Sequence, residues 1–229
     1  MQPYVFPYIG YFHLIEAASE FVVYDDVQFI KQGWINRNRI LNQGEPLLFT
    51  VPLEKASRNK LILETTPNID SKWRDTFYKR LVSAYSKAPF FKDSIDLIMG
   101  VLSEERATIV DLAIRSIQTV YAYLGREFVY HRSSLHFPET RDAGRAGRLI
   151  AISKALGAER YLNPPGGRSL YSAEEFENEG LTLRFVESDP IQYKQLASDF
   201  TPNLSIIDAM MFNSPQELAE LMSRFRLEA

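Results

Sequence analysis

Residues 145–186, RAGRLIAISKALGAERYLNPPGGRSLYSAEEFENEGLTLRFV, read as helix, strand, loop, helix, strand. Arg145 to Leu156 predicts a helix capped by Gly157, and Arg160 to Leu162 a strand. Ala173 to Glu179 predicts a second helix capped by Gly180, and Leu181 to Val186 a second strand. That alternation is the signature of a mostly parallel sheet with covering helices. Ligands of such sheets bind where the strands end, on the carboxyl side. Upstream, Glu127 to His131 predicts a strand that runs through Ser133-Ser134 into a charged loop, and Phe21-Val22-Val23-Tyr24 a buried strand delivering Asp25 and Asp26 to an edge crevice. Leu47 to Leu53 and Lys60 to Glu64 are two further strand candidates.

Between these lies a helical stretch. Trp73, Phe77, Leu81, Val82 and Tyr85 recur at helical spacing from Ser71 to Lys87, and Pro89 ends the pattern. Phe90 to Leu102 and Ala107 to Leu124 repeat the same periodicity, with Gly125 as the closing cap. No Pro/Gly/Ser linker separates this stretch from its flanks. The expectation is one α/β domain over residues 1–229, with a helical insertion or subdomain at about 70–125.

Composition narrows the function classes. A chain of 229 residues, 45% hydrophobic and 24% charged, is that of a globular protein rather than a disordered or fibrous one. The formal charge of -3 offers no overall field to attract nucleic acid, so anion binding has to come from a local cluster. Cysteine is absent, which removes disulfides, thiolate nucleophiles and zinc-thiolate sites. No apolar run approaches the roughly 20 residues that span a bilayer, and no basic leader precedes an apolar segment, so a cytoplasmic location is expected.

Such a cluster occurs at Lys31-Gln32-Gly33-Trp34-Ile35-Asn36-Arg37-Asn38-Arg39-Ile40, just after Asp25-Asp26. Lysine and arginine are rarely buried unpaired. Guanidinium forks match carboxylate and phosphate oxygens, Asn36 and Asn38 add short donors, and Trp34 offers a flat face for a ring. The competing reading is a solvated amphipathic turn with Ile35 and Ile40 inward.

Three other groups carry chemistry. Asn163-Pro164-Pro165-Gly166-Gly167-Arg168 leaves a strand, and its paired glycines could aim backbone N–H groups at an anion with Arg168 completing the charge. It is also an ordinary tight turn, and it lacks the Gly-Lys-Ser/Thr ending of a phosphate-binding P-loop. Ser133-Ser134 could form a hydroxyl cradle, with Arg141, Arg145 and Arg148 on one helical face, or that face could simply be solvated. His13, His131 and His136 lack metal-ligand spacing, so no metal centre is expected from them. A Ser134-His131-Asp26 triad finds no Gly-x-Ser-x-Gly elbow to expose its serine. Aromatics and prolines from Gln2 to Phe12 either floor a pocket or pack on the core, and Asn203 or Ser205 reads as a helix cap.

Taken together, Gln2-Pro-Tyr-x-Phe-Pro-Tyr-x-Gly-Tyr-Phe, Tyr24-Asp-Asp, Gly33-Trp-Ile-Asn-Arg-Asn-Arg, Leu156-Gly-Ala-x-x-Tyr-Leu-Asn and Pro202-Asn-Leu-Ser-Ile-Ile-Asp resemble the WbqC-like family of bacterial proteins. The resemblance spans nearly the whole chain. It implies a place in surface polysaccharide, O-antigen or amino-sugar synthesis, with glycine or other acyl-group transfer suggested for some members. Members commonly begin with a few more apolar residues ahead of Met-Gln-Pro, so the first edge of the sheet is expected to be shorter or truncated here. The order of elements also resembles nucleotidyltransferase-type (HUP-like) folds, but Tyr8 and Tyr11 stand where that resemblance implies phosphate-contacting histidines, which argues against adenylyl transfer.

The expected function is a transferase acting on a sugar nucleotide or another phosphorylated metabolite. Lys31, Arg37 and Arg39 would hold phosphates, with Lys31 at the reaction centre beside Asp26. Asp26 would be the general base, with Asp25 beside it, where Mg²⁺ is conceivable. Asn36 and Asn38 would add donors, Trp34 would stack on a ring, and Asn163, Gly166, Gly167 and Arg168 would form a second anion loop. No cofactor is identified, and a homo-oligomer is open. A noncatalytic module that binds a sugar nucleotide or docks on an enzyme is the alternative. Single-stranded nucleic acid binding is disfavoured by the acidic balance.

Overall fold

The computed structural model describes residues 1–55, 57, 59–103 and 107–229. In chain order these form α1 (Ile9–Ala17), β1 (Val22–Val23), β2 (Arg37–Asn42), β3 (Glu45–Thr50), α2 (Ser71–Tyr85), α3 (Phe91–Ser103) and α4 (Ile109–Tyr123). There follow β4 (His131–Arg132), α5 (Ser133–His136), α6 (Arg145–Ala155), β5 (Arg160–Asn163), α7 (Ala173–Glu177), β6 (Thr182–Ser188), α8 (Ile206–Phe212), α9 (Pro215–Met222) and β7 (Phe225–Glu228).

The architecture is mixed α/β, with three small sheets among the described residues where the sequence predicts one mostly parallel sheet. β1 pairs parallel with β4, and β5 pairs parallel with β6, the second as the helix-strand alternation after Arg145 predicts. β6 pairs antiparallel with β7, and β2 with β3. The Lys31 to Ile40 cluster therefore runs into a strand, and the strand expected at 47–53 is its hairpin partner. Gln43 and Gly44, at φ 52° and 83°, make the two-residue left-handed turn whose twist suits such a hairpin. The candidate at 60–64 is a single bridge, Leu61 to Gln28, followed by a 3-10 turn at Ile62–Glu64.

Helices α2, α3 and α4 form where the apolar periodicity places them. The Asp70 carboxylate accepts the Trp73 N–H and Thr108 caps α4 reciprocally with Asp111, which supplies partners for first-turn donors. Their buried faces join α1, α8 and α9 in one large core. A smaller cluster of Ile150, Phe176, Leu181, Leu183 and Phe185 lies under α6, α7 and β6. Trp73 is only half-buried; it stacks on fully buried Phe77 at 5.1 Å and donates its indole N–H to Thr50 O at 3.1 Å.

The N-terminal aromatics are packing residues held by polar ties from far along the chain. Phe6 is buried in a left-handed conformation, φ 45°, which a bulky residue adopts only when its surroundings hold it there. Its N–H donates to Ser116 Oγ at 2.9 Å, and its carbonyl accepts from Asn38 Nδ2 at 2.7 Å and Ser205 Oγ at 2.8 Å. His13 sits between Ser188 Oγ at 2.8 Å and Leu221 O at 3.0 Å. Asp208, fully buried in α8, accepts from Tyr85 at 2.9 Å, Tyr193 at 2.7 Å and Gln195 at 2.8 Å.

Met1 extends the β1–β4 ladder. Its amino group donates to Val22 O at 2.6 Å and its carbonyl accepts from Tyr24 N at 2.8 Å, the parallel-strand pattern with Val23 opposite. Beyond Met1, a cavity of about 450 Å³ separates β1 from β5.

Candidate functional site

The parallel pair β1–β4 sets the site. Both strands end at one edge, so Asp25-Asp26 and Ser133-Ser134 arrive side by side, the carboxyl-end crevice expected of such a pair. Asp25 is fully buried and accepts four hydrogen bonds: Arg132 Nε at 2.8 Å, Ser133 Oγ at 3.0 Å, and Ser134 N and Oγ at 3.0 and 2.8 Å. Asp26, 4% exposed, accepts from one Arg148 nitrogen at 2.8 and 2.7 Å and from Ser133 Oγ at 2.6 Å. Ser133 has one hydroxyl proton, so that hydrogen links the two carboxylates alternately.

Arg148 comes from the buried face of α6 and is itself 3% exposed. Its Nε donates to Thr140 Oγ1 at 3.2 Å, and its guanidinium lies 4.7 Å from the Tyr24 ring centroid. Burial alone would raise the Asp26 pKa, but hydrogen bonds from Arg148 and Ser133 and the Arg148 charge outweigh it and hold the carboxyl below its usual value. Arg132 also reaches Asp111 at 3.1 Å. Two cations remain on the solvent side. Arg141 approaches Asp26 at a long 3.4 Å with half its side chain exposed, and Arg145 is exposed one turn on, near Tyr171. The Tyr24, Tyr161 and Tyr171 phenols are all raised, chiefly by burial. The ends of β1 and β4 thus bring Arg132, Arg141 and Arg148 onto an aspartate-serine cluster, with Tyr24 against Arg148.

The other expected residues sit differently. Lys31 is exposed, Asn36 donates to Val51 O at 2.8 Å, and Asn38 ties Phe6; both amides are buried and serve the fold. Arg37 folds back on its own turn, donating to Gly33 O at 3.0 Å and to Gln32 O. Arg39 stacks on half-exposed Trp34 at 5.5 Å and reaches Asn203 O at 3.4 Å. Neither arginine shares a cleft with an open Asp25 or Asp26, because those carboxylates are buried. Replacing Arg37 by alanine is expected to cost about 1 kcal/mol of stability, the worth of such hydrogen bonds, read from the urea midpoint.

Arg168 is likewise committed, to Glu228 at 2.8 Å, Glu187 at 3.2 Å and the Phe185 ring at 4.5 Å. Gly166 and Gly167 lie in a 3-10 turn, where a Cβ on Gly167 would come within 2.5 Å of the Asn163 side chain. Gly167 therefore admits close packing of Asn163. Among the described residues no cluster of His, Cys, Asp and Glu could hold a metal ion, and no helix is long and apolar enough to cross a membrane.

Arg132, Thr140 and Tyr171 were not legible as site residues. Their signal was positional: Arg132 directly precedes Ser133-Ser134, and Tyr171 follows the Gly-Gly loop. A family model described as the WbqC-like protein family matches residues 2–220. The chain is 28% identical over 218 residues to a protein of Mycobacterium tuberculosis (strain ATCC 25618 / H37Rv) described as Uncharacterized protein Rv1507c, covering 94% of this chain and 93% of that one. No solved structure matches.

Proposed function

Since this chain belongs to the WbqC-like protein family, we propose that it binds a sugar nucleotide or another phosphorylated sugar metabolite, and transfers an acyl or aminoacyl group to or from it, in surface polysaccharide or amino-sugar synthesis in the cytoplasm. The observation that carries the reading is the convergence of Arg132, Arg141 and Arg148 on Asp25 and Asp26 where β1 and β4 end, with Arg145 exposed near Tyr171. Three of these cations have carboxylate partners inside the protein, and Arg141 and Arg145 face solvent, where a phosphate would complete them. Tyr24 and Tyr171 would flank the sugar or base ring. Parallel strands ending in this crevice also support the nucleotidyltransferase-like reading of the sheet.

The roles expected of Asp26 and the hairpin change in this reading. A general base needs a lone pair within reach of the substrate. Asp26 spends its lone pairs on Arg148 and Ser133, so its task is to hold Arg148. The buried state of both aspartates favours a second reading, a noncatalytic sugar-nucleotide-binding module, because no open carboxylate stands in the crevice. Turnover of the bound ligand separates the two.

The test is calorimetric titration with UDP-glucose, UDP-N-acetylglucosamine and inorganic phosphate. The Arg141→Ala/Arg145→Ala double variant is expected to bind at least tenfold more weakly, since hydrogen bonds to charged groups contribute roughly 1.5–3 kcal/mol each. Its melting temperature should barely move, because exposed charges add about 0–1 kcal/mol to folding. Equal affinity in both proteins, or no binding by the unaltered chain, would sink the proposal.

A further inference from the structure

His13 of α1 and Ser188, the last residue of β6, form a pair that shares no residue with the crevice at the ends of β1 and β4. His13 is 1% exposed, whereas Ser188 is open to solvent. The partners of the imidazole fix its tautomer. Leu221 O can only accept, so Nε2 carries the ring hydrogen and donates it at 3.0 Å. Burial lowers the ring's pKa against the opposing pull of the Leu221 carbonyl and Asp189, which keeps the imidazole neutral near pH 7. Nδ1 then has a lone pair and no hydrogen, and the Ser188 hydroxyl donates to it at 2.8 Å. A serine hydroxyl aimed at the bare nitrogen of an imidazole, whose other nitrogen is held by an oxygen acceptor, is the arrangement that turns serine into a nucleophile.

A packing tie needs nothing on the solvent side of the serine, yet a cavity opens there. It has a volume of about 140 Å³ and is lined by Ser188 together with apolar Ile9, Ile191, Phe200 and Leu204. A cavity of about 150 Å³ holds a benzene-sized molecule, so this one suits an acyl chain of about two to six carbons. Ile9 lies one helical turn before His13, which puts the cavity wall and the base on one face of α1. The first turn of α1 borders the cavity through Ile9 and Gly10, and no side chain caps it, so its N–H groups favour negative charge there. Asp189, next to the serine, favours the imidazolium that forms when His13 takes a proton.

We propose that Ser188 and His13 are a nucleophile and its base, taking a small acyl group from an ester or thioester. Ser188 Oγ attacks the acyl carbonyl carbon while its proton passes to His13 Nδ1. The tetrahedral intermediate collapses as the bond from carbon to the leaving oxygen or sulfur breaks, and the leaving group takes the proton from Nδ1 and departs as an alcohol or thiol. An acyl-Ser188 ester remains. Water, an alcohol or an amine then attacks that ester, giving its proton to Nδ1, which returns it to Ser188 Oγ. This chemistry uses no arginine of the crevice and stands whether or not a sugar nucleotide binds there.

The experiment adds p-nitrophenyl acetate to the full chain, quenches samples in acid and maps acetylated residues by peptide mass spectrometry. The comparison is His13→Gln, whose amide can still donate to Leu221 O and accept from Ser188 but takes up no proton. Ser188 is expected to be acetylated in the unaltered chain at least about a hundredfold faster than in the variant, the low end of what a general base contributes. The variant's melting temperature should stay close to that of the unaltered chain. No acetyl group on Ser188, or equal rates in the two proteins, overturns the proposal, since a packing tie alone predicts no difference. If His13→Gln does not fold, the unaltered chain in urea becomes the reference. Acetylation of Ser188 at the same rate in the folded and urea-unfolded chain then overturns the proposal, and a hundredfold faster reaction in the folded chain upholds it.

Discussion

Replacing Asp26 by alanine is expected to lower the free energy of unfolding by about 3–5 kcal/mol, because it strands a buried guanidinium without its counter-ion. Arg148 is 3% exposed and donates to both Asp26 oxygens, and its other partners, the Thr140 hydroxyl and the Tyr24 ring, carry no charge to replace the carboxylate. Urea unfolding of the variant should show the midpoint shift with little change in slope. The pH dependence follows from the direction of the shift. The folded chain holds the Asp26 proton less tightly than the unfolded chain does, so the stabilisation is complete above the ordinary value of 3.8 and disappears as pH falls through the lower folded value. Asp26→Asn should therefore flatten the acid limb of the stability curve below about pH 4. An unchanged acid limb would show that Asp26 does not carry it.

Asp208→Ala should be as damaging, also about 3–5 kcal/mol, for a different reason. It orphans the donors of Tyr85, Tyr193 and Gln195, each costing roughly 1–3 kcal/mol when left unsatisfied in the interior. Here the pH sign reverses. Burial raises the Asp208 pKa, and the hydrogen bonds from Tyr193, Gln195 and Tyr85 only partly restore it. The folded chain holds this proton more tightly than the unfolded one. Its favourable contribution is therefore fully present below 3.8 and fades as pH rises through the folded value. Asp208→Asn, which removes the titration, should leave a protein whose stability rises more steeply as pH increases above 3.8 than that of the unaltered chain. Parallel curves for the two proteins would overturn the assignment.

The contrast between these aspartates explains what the sequence could reveal. Local periodicity fixed α2, α3 and α4, and the helix-strand alternation after Arg145 fixed the parallel β5–β6 pair. Asp25 and Asp26 follow β1 as the sequence predicts, since an apolar run followed by acids is a local signal. Their partners were not local. Arg148 lies 122 residues from Asp26 and Ser133 lies 108 from Asp25, and no spacing rule spans such distances. The same limit hides what the hairpin's side chains touch. Arg37 and Arg39 had the residue types of an anion site, but Gln43-Gly44 turns them into a strand whose amides tie the core and whose guanidiniums fold onto nearby carbonyls and Trp34. Asp208 enters the sequence analysis only as the last residue of the Pro202 to Asp208 motif, because its three donors are assembled by tertiary packing.

The ties from Phe6 to Ser205 and from His13 to Leu221 also decide when the protein can fold. They span 199 and 208 residues, so the opening helix lacks its polar anchors until nearly the whole chain has left the ribosome. Ring closure over such lengths is slow, and proteins dominated by distant contacts fold late rather than as they emerge. During synthesis the aromatic segment from Tyr4 to Phe12 is therefore exposed apolar surface awaiting α8 and α9. In the cell this is the stretch for a chaperone to shield, and a stalled or shortened message would release a product whose first residues are sticky.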